Sequence, residues 1–449
     1  MSLQATHPDT NAIATKRSLG VLSLATLLIC SHYGLGFILG TAEQAVAAGA
    51  AGSLYAVSLG IGFLLLLVLV KFYWQSVDQI WTLLGHRYGS LVQVGIAFMS
   101  WVSLIGIAAV QMIAAAIILS LIGLPKVPTM VGVTVALCLL SLTRVERAST
   151  VFRGLLLLNI GALVYALWRL HSLSELEVVP LQFVPALHHL EWPHGLGVSI
   201  ATALMVVVDM KCQQFIVRAK TPQIAYWGCV LAAIALLGLA FLPTAVVLAA
   251  QQQGIIPAAL SGKEVLPYIL AQVGGGTNHW QGILLMLSLA VPALGIGSNI
   301  LRIQTKTILD LKIFPNSPYA WIAFTILNAL CILAIALRDR EIINLILNFY
   351  TAYLSSIGVP FIAYLLAQAT RDIFSANSVR LALLTGAIAS VTSLGVTLVH
   401  PQSIQFGSSE LTILLVGMGT SSLALLLTQL LSQVLTVLRR QVFHQEEVS

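Results

Sequence analysis

The residues able to do chemistry in this chain are few, and they sit at defined places. The run Ser31-His32-Tyr33-Gly34-Leu35-Gly36 sets an imidazole, a phenol and two glycines in the middle of a long apolar stretch. An imidazole titrates near neutrality, so His32 can carry a proton as well as touch a solute. Bonded only to a backbone carbonyl, it would be a structural group. Gln111 stands beside a run of alanines, and Asp209-Met210-Lys211 closes another apolar run. An acid and a base at that place either snorkel to water or pair as a gate on the cytoplasmic side. The tract His188-His189-Leu190-Glu191-Trp192-Pro193-His194 has ligand-type side chains, but it lies in a loop without an i, i+4 face and reads as compositional. Glu43 reads as a solvated helix end, and Arg302 with Lys306 as anchors for anionic lipid. The cysteines Cys30, Cys138, Cys212, Cys229 and Cys331 are odd in number and lack CxxC spacing. That indicates small buried hydrophobes, with neither a disulfide framework nor a zinc site. No catalytic motif or paired-carboxylate site accompanies these residues, so the chemistry they suit is binding and ion or proton transfer, and the chain is not read as an enzyme.

The elements that must position them are membrane helices. Only 8% of the 449 residues are charged and 58% are hydrophobic, against about 25% charged in soluble domains. Uncharged runs such as 45–70 and 91–125 are long enough to cross roughly 30 Å of hydrocarbon. Twelve such segments are expected, at 18–42, 46–70, 91–122, 127–143, 151–169, 195–216, 224–250, 280–301, 319–337, 342–368, 380–399 and 411–437. The first begins after Lys16-Arg17 and is followed by many like it, so it reads as a retained helix and not as a signal peptide. With both termini inside, 17 of the 22 Lys and Arg residues fall on cytoplasmic loops, the bias expected of a plasma (inner) membrane protein. The same loops account for the net charge of +6, so no nucleic-acid partner is implied. Two longer loops, 171–194 and 251–279, fall outside.

Glycine-rich interruptions recur five segments apart. The first segment carries Gly34 and Gly36 beside His32, and the sixth opens on His194-Gly195-Leu196-Gly197. Broken helices at corresponding places are how transporters built on inverted repeats expose backbone groups to ions and solutes. The fold class read from this pattern is an all-α polytopic membrane protein of about twelve helices. It comprises a cytoplasmic tail (1–17), a five-plus-five inverted-repeat core (18–370, with repeats 18–170 and 194–370), two further membrane helices (371–438) and a cytoplasmic tail (439–449).

Several motifs resemble the sodium:solute symporter family. These are Gly40-Thr41-Ala42-Glu43-Gln44-Ala45 with Gly49 and Gly52, then His86-Arg87-Tyr88-Gly89, and Gln111 with Ala114-Ala115-Ala116. Further on come Gln213-Gln214-Phe215 with Ala219-Lys220-Thr221-Pro222 and Ala225, then Asp310 and Pro360. Gln214 stands where that family usually has arginine. The resemblance implies alternating access around a midplane site, with His32, Tyr33, Gly36, Phe37 and Gln111 facing the solute. It also implies a sodium site built from the carbonyls of Cys30 and Tyr33 and from paired serines. Those serines fall on Leu294 and Gly295, which offer no side-chain oxygen, while Ser298 and Asn299 lie one turn further on. Sodium and the proton therefore both stand as coupling ions.

Together these readings predict a secondary active transporter of a small solute, without a bound cofactor apart from a coupling Na+ or H+, in contact with membrane lipid. A transporter-like sensor or regulatory protein is the alternative.

Overall fold

The computed structural model describes residues 17–76, 79–142, 145–311, 317–338, 340–369, 374–400 and 404–446, and side chains are described for all of these except 145–153, 155, 291, 292 and 436–446. The tail up to Lys16 and the loop cations Arg144, Lys312 and Arg371 lie outside the described residues, and the side chains of Arg147, Arg153, Arg439 and Arg440 are not described.

Every named element is helical. The first half holds α1 (Val21–His32), α2 (Leu35–Ala48), a 3-10 stretch (Gly49–Ser53), α3 (Leu54–Leu66), α4 (Val70–Gln75), α5 (Ile80–Tyr88), α6 (Ser90–Ser120), α7 (Lys126–Ser141), α8 (Val145–Arg169) and α9 (Glu175–Leu187). The second half holds α10 (Trp192–Val208), α11 (Met210–Ile216), α12 (Pro222–Leu239), α13 (Leu242–Gln252), α14 (Gly262–Val273), α15 (Trp280–Asp310), α16 (Pro318–Ala336), α17 (Ile342–Ala369), α18 (Ala376–Val399) and α19 (Ser409–Glu446). Among the described residues, nine helical stretches are long and apolar enough to cross a membrane, and the shorter apolar helices Val21–His32, Lys126–Ser141 and Leu156–Arg169 accompany them.

The most deeply buried helices are α6 and α17, which pack on each other; α6 also packs against α7, α15 and α16. Around them α3 runs against α10 and α12, and α1 against α12. The apolar side chains left exposed, such as Val68, Leu181 and Ile388, cover the outer faces, as suits helices whose surroundings are hydrocarbon. Small residues let the inner helices approach closely, which is how membrane helices gain van der Waals contact when lipid is as apolar as they are. At Gly62 of α3, an added Cβ would lie 2.9 Å from the Ala203 carbonyl oxygen and 2.8 Å from Val206 Cγ2 of α10.

Three expectations change at this level. The 171–194 loop contains α9, in which Glu175, Val179 and Phe183 share a buried face despite Pro180 and Pro185. Phe183 meets Phe241 edge-on at 5.5 Å, and Glu175 accepts a hydrogen bond from Gln252 Nε2 at 3.1 Å. Likewise the 251–279 loop contains α14, which starts on a Ser261–Glu264 capping box. Most importantly, the sixth segment does not break at Gly195-Leu196-Gly197: α10 runs through them unbroken. Gly197 instead serves packing, since a Cβ there would meet Ser408 Oγ at 2.5 Å.

Gly62→Ala is expected to destabilise the protein by about 1–3 kcal/mol through overpacking at the α3–α10 crossing. The check is a lower Tm of the detergent-solubilised protein. Gly132→Ala, on an exposed face of α7 with no atom within 4 Å of the new methyl, should leave Tm unchanged or raise it.

Candidate functional site

Two of the helix interruptions touch each other. The first lies between α1 and α2, where Tyr33 (ψ 67°) and Gly34 (ψ −170°) leave the helical region. This frees the last carbonyls of α1, each of which needs a donor. Tyr33 N–H serves Ile29 O, and Gly34 N–H serves His32 O. Leu28 O receives Ser31 Oγ at 2.8 Å and lies 3.0 Å from His32 Nδ1. Ser31 O receives the Lys211 ammonium at 3.4 Å, from across the gap.

The second interruption is at Asp209, whose extended backbone (φ −68°, ψ 120°) separates α10 from α11. Aspartate favours this position because its side chain caps the new helix: Oδ1 accepts from Lys211 N–H at 2.8 Å. Its other oxygen, Oδ2, lies 3.2 Å from Lys211 Nζ and 3.2 Å from His32 Nε2. The charges suit the backbone at both places. The carboxylate sits at the positive N-terminal end of α11, and the imidazole and ammonium sit at the negative C-terminal end of α1. Phe63 meets the imidazole edge-on at 4.9 Å, and Cys212 Sγ lies 3.8 Å from His32 Nε2.

Asp209 is 1% exposed, so its head does not snorkel to water; of the two sequence readings, the ion pair is the one present. Among the described residues, His32, Asp209 and Cys212 bring three metal-type donors together, within 4.8 Å of one another, whereas the His188–His194 tract does not. The cation that faces this carboxylate is Lys211.

Beside the paired breaks lies a cavity of about 250 Å³. From the sequence-predicted set it is lined by Cys30, His32, Gly36, Phe37, Gln111, Lys211, Ser298 and Asn299. Tyr33 is not among its lining residues; its ring is buried against Phe37 at 4.8 Å. Ser298 Oγ donates to the Gly295 carbonyl at 3.0 Å, within its own helix. Sequence reasoning missed Tyr55, Gln214, Tyr350 and Arg302 as lining. Arg302 caps a neighbouring helix: its Nε donates to Ser141 O at 3.0 Å and its Nη2 to Leu140 O at 3.4 Å, satisfying the last carbonyls of α7. Lys306, one turn on, stays exposed.

The lining divides by burial into an exposed part, termed the wet end, and a buried part, termed the dry end. Gln214, Asn299 and Leu140 at one end are exposed, whereas Phe37, Gln111, Tyr55 and Tyr350 at the other are buried. Beyond the dry end α2 packs on the start of α17, with Gly40 against Ile342 and Ile343. There Glu43 does not end in solvent: its Oε2 accepts from Ile342 N–H at 3.0 Å, capping α17.

Asp209→Asn leaves the Lys211 ammonium facing a buried neutral amide. It is expected to cost about 3–5 kcal/mol, as when one partner of a buried ion pair is removed. Adding Lys211→Met to Asp209→Asn should recover part of the loss, with a coupling of about 0.5–3 kcal/mol read from the four unfolding curves.

No protein-family model and no curated protein matches this chain. Among solved structures, it is similar to a Na+-coupled sialic acid symporter determined in a substrate-bound outward-open state. The TM-score is 0.65 at 14% identity, over 92% of this chain and 90% of that one. At that identity the likeness is one of fold: this chain is an integral membrane protein with the architecture of a solute symporter.

Proposed function

We propose that the chain is a secondary transporter that moves a small solute across the plasma membrane by alternating access, driven by a proton held at the His32–Asp209 pair. The observation that carries this reading is the contact between two helix interruptions, at Tyr33-Gly34 and at Asp209, on the wall of a solute-sized cavity. Interrupted helices of this kind are tolerated in membranes where they line a cavity, and there they hold ions and solutes. The interruptions fall in the first and sixth hydrophobic segments, the correspondence that an inverted repeat of five segments requires. The fold likeness to a Na+-coupled symporter supports the same class of activity.

The choice of proton over sodium rests on two features. Lys211 brings a fixed ammonium to 3.4 Å from the Ser31 carbonyl, beside the carbonyls that a coupling cation would use, and a second cation so close is repelled. Leu294 and Gly295 bring no hydroxyl to offset that repulsion. The His32–Asp209 pair, by contrast, can take up and release a proton without a new ligand. With the charge bias of the loops, the wet end of the cavity faces the cytoplasm, so this conformation is inward-facing. Glu43 and the α2–α17 contact then close the outer side.

Purified protein in liposomes tests this, using the solute that raises Tm most in a screen. An inward proton gradient should drive its accumulation equally well with sodium or choline outside. His32→Gln should lower the initial rate by about tenfold, within the usual range of coupling between linked sites. Accumulation that needs sodium and ignores pH would replace the proton with sodium. A solute that binds without crossing the membrane would overturn transport itself.

A further inference from the structure

The charged groups beside the cavity are engaged by the protein itself. Lys211 is matched by Asp209 at 3.2 Å, and His32 meets the same carboxylate oxygen. Arg302 holds the last carbonyls of α7 beside Leu140, at the wet end, where water and salt screen its charge. Among the described residues the lining contains no Asp or Glu. What the dry end offers a solute is therefore uncharged: the rings of Phe37, Tyr55 and Tyr350 and the amide of Gln111, all buried.

Gln111 is the polar group there with nothing to bond. It is 2% exposed, and its Oε1 has no hydrogen-bond partner among the described residues. Its Nε2 makes no hydrogen bond among them either. The stem is held in place, since a Cβ at Gly297 of α15 would lie 3.4 Å from Gln111 Cβ. A primary amide carries an acceptor and two donors on one planar head. Leaving such a head unmatched in a buried place is costly, so a native site that keeps one points to a ligand that supplies the partners.

The group that answers both sides of an amide at once is a second edge with N–H beside C=O. Two parallel hydrogen bonds then form, in the bidentate manner in which glutamine reads the edge of adenine. An open-chain secondary amide is trans and turns its N–H and C=O to opposite sides. A ring holds them cis, as in lactams, cyclic ureas and imides. Flat rings also suit a pocket end walled by aromatic side chains. The cavity's roughly 250 Å³ is below the usual lower bound of about 300 Å³ for pockets that hold drug-sized molecules, which fits a single small ring.

We propose that the dry end of the cavity takes a small uncharged ring bearing a cis N–H/C=O edge, held by paired hydrogen bonds to Gln111. This rests on the reading of the cavity as the solute site.

Ring analogues serve as probes. Uracil, 2-imidazolidinone and δ-valerolactam are each compared with the fully N-methylated counterpart by the Tm of the detergent-purified protein. At least one N–H form should raise Tm, because a ligand that binds only the folded state stabilises it. Its N-methyl counterpart should bind at least about tenfold more weakly, as a site built to pair an N–H rejects the analogue without it. Gln111→Leu should bring the two to equal affinity. If that variant does not fold, the native protein decides alone: N-methyl forms that bind as well, or no shift with any of the three rings, overturn the assignment. Thymine should raise Tm more than uracil-5-carboxylate, which carries a carboxylate where thymine has its methyl; the reverse order overturns the uncharged class. Whether the cavity admits a solute at all is read separately on Cys30, which lines its wall. Replacing Cys138 and Cys331 by serine removes the other cysteines that are not buried, and the reagent is the small, uncharged methyl methanethiosulfonate. A bound ring should slow labelling of Cys30. Labelling that no ring affects discards the ring edge and keeps the cavity, whereas no labelling removes access to the cavity and with it the solute-site reading.

Discussion

The carboxylate of Asp209 is the constraint on which the rest of the site depends. It is buried at a helix interruption, where an isolated charge would be prohibitive in a medium of low dielectric. It is tolerable there because donors converge on it, among them the backbone N–H of Lys211, the Lys211 ammonium, and the imidazole of His32 from the other interrupted helix. The same contacts satisfy the backbone. The end of α1 places a carbonyl opposite the ammonium, and the start of α11 gains its cap from the carboxylate. Ion pairing, helix capping and the tie between two distant segments are thus one arrangement, and loss of any member exposes the others.

This arrangement explains why the cavity lies where it does. Two helices that stop and restart cannot fill the space beside their gaps with regular side-chain packing, so room remains between α1, α6, α11 and α15. Regular packing resumes on one side only. Towards the dry end, α2 and α17 are almost wholly buried and locked by Glu43 on the Ile342 N–H. Towards the wet end, α7 and α15 are held by Arg302, and polar side chains such as Gln214 and Asn299 reach the opening. One end is thus sealed by helix packing, while at the other only side chains border the opening.

Much of this was legible in the chain. Each apolar run expected to cross the membrane coincides with helix, because in hydrocarbon a backbone must satisfy its own hydrogen bonds and length alone then selects the element. His32 was legible as well: an imidazole beside two glycines at that depth has few structural uses. Gln111, Gly36 and Phe37, to which the resemblance motifs pointed, line the cavity. The glycines of the sixth segment misled, since Gly197 reports close packing on α19 and not an interruption. An unpaired glycine looks the same in sequence for either use.

What the sequence by itself determined is therefore local: membrane helices, their approximate limits, and the interruption at His32. These follow from runs of neighbouring residues and from the free energy of placing them in lipid. Only the tertiary structure decided that His32 meets Asp209 across 177 positions of chain, that the second interruption is Asp209 itself, and that Arg302 and Glu43 cap neighbouring helices. A charged side chain near a helix end has the same sequence signature whether it reaches water, lipid or a carboxylate on another helix. The choice among them belongs to packing, because only packing removes water and fixes which partner remains within reach.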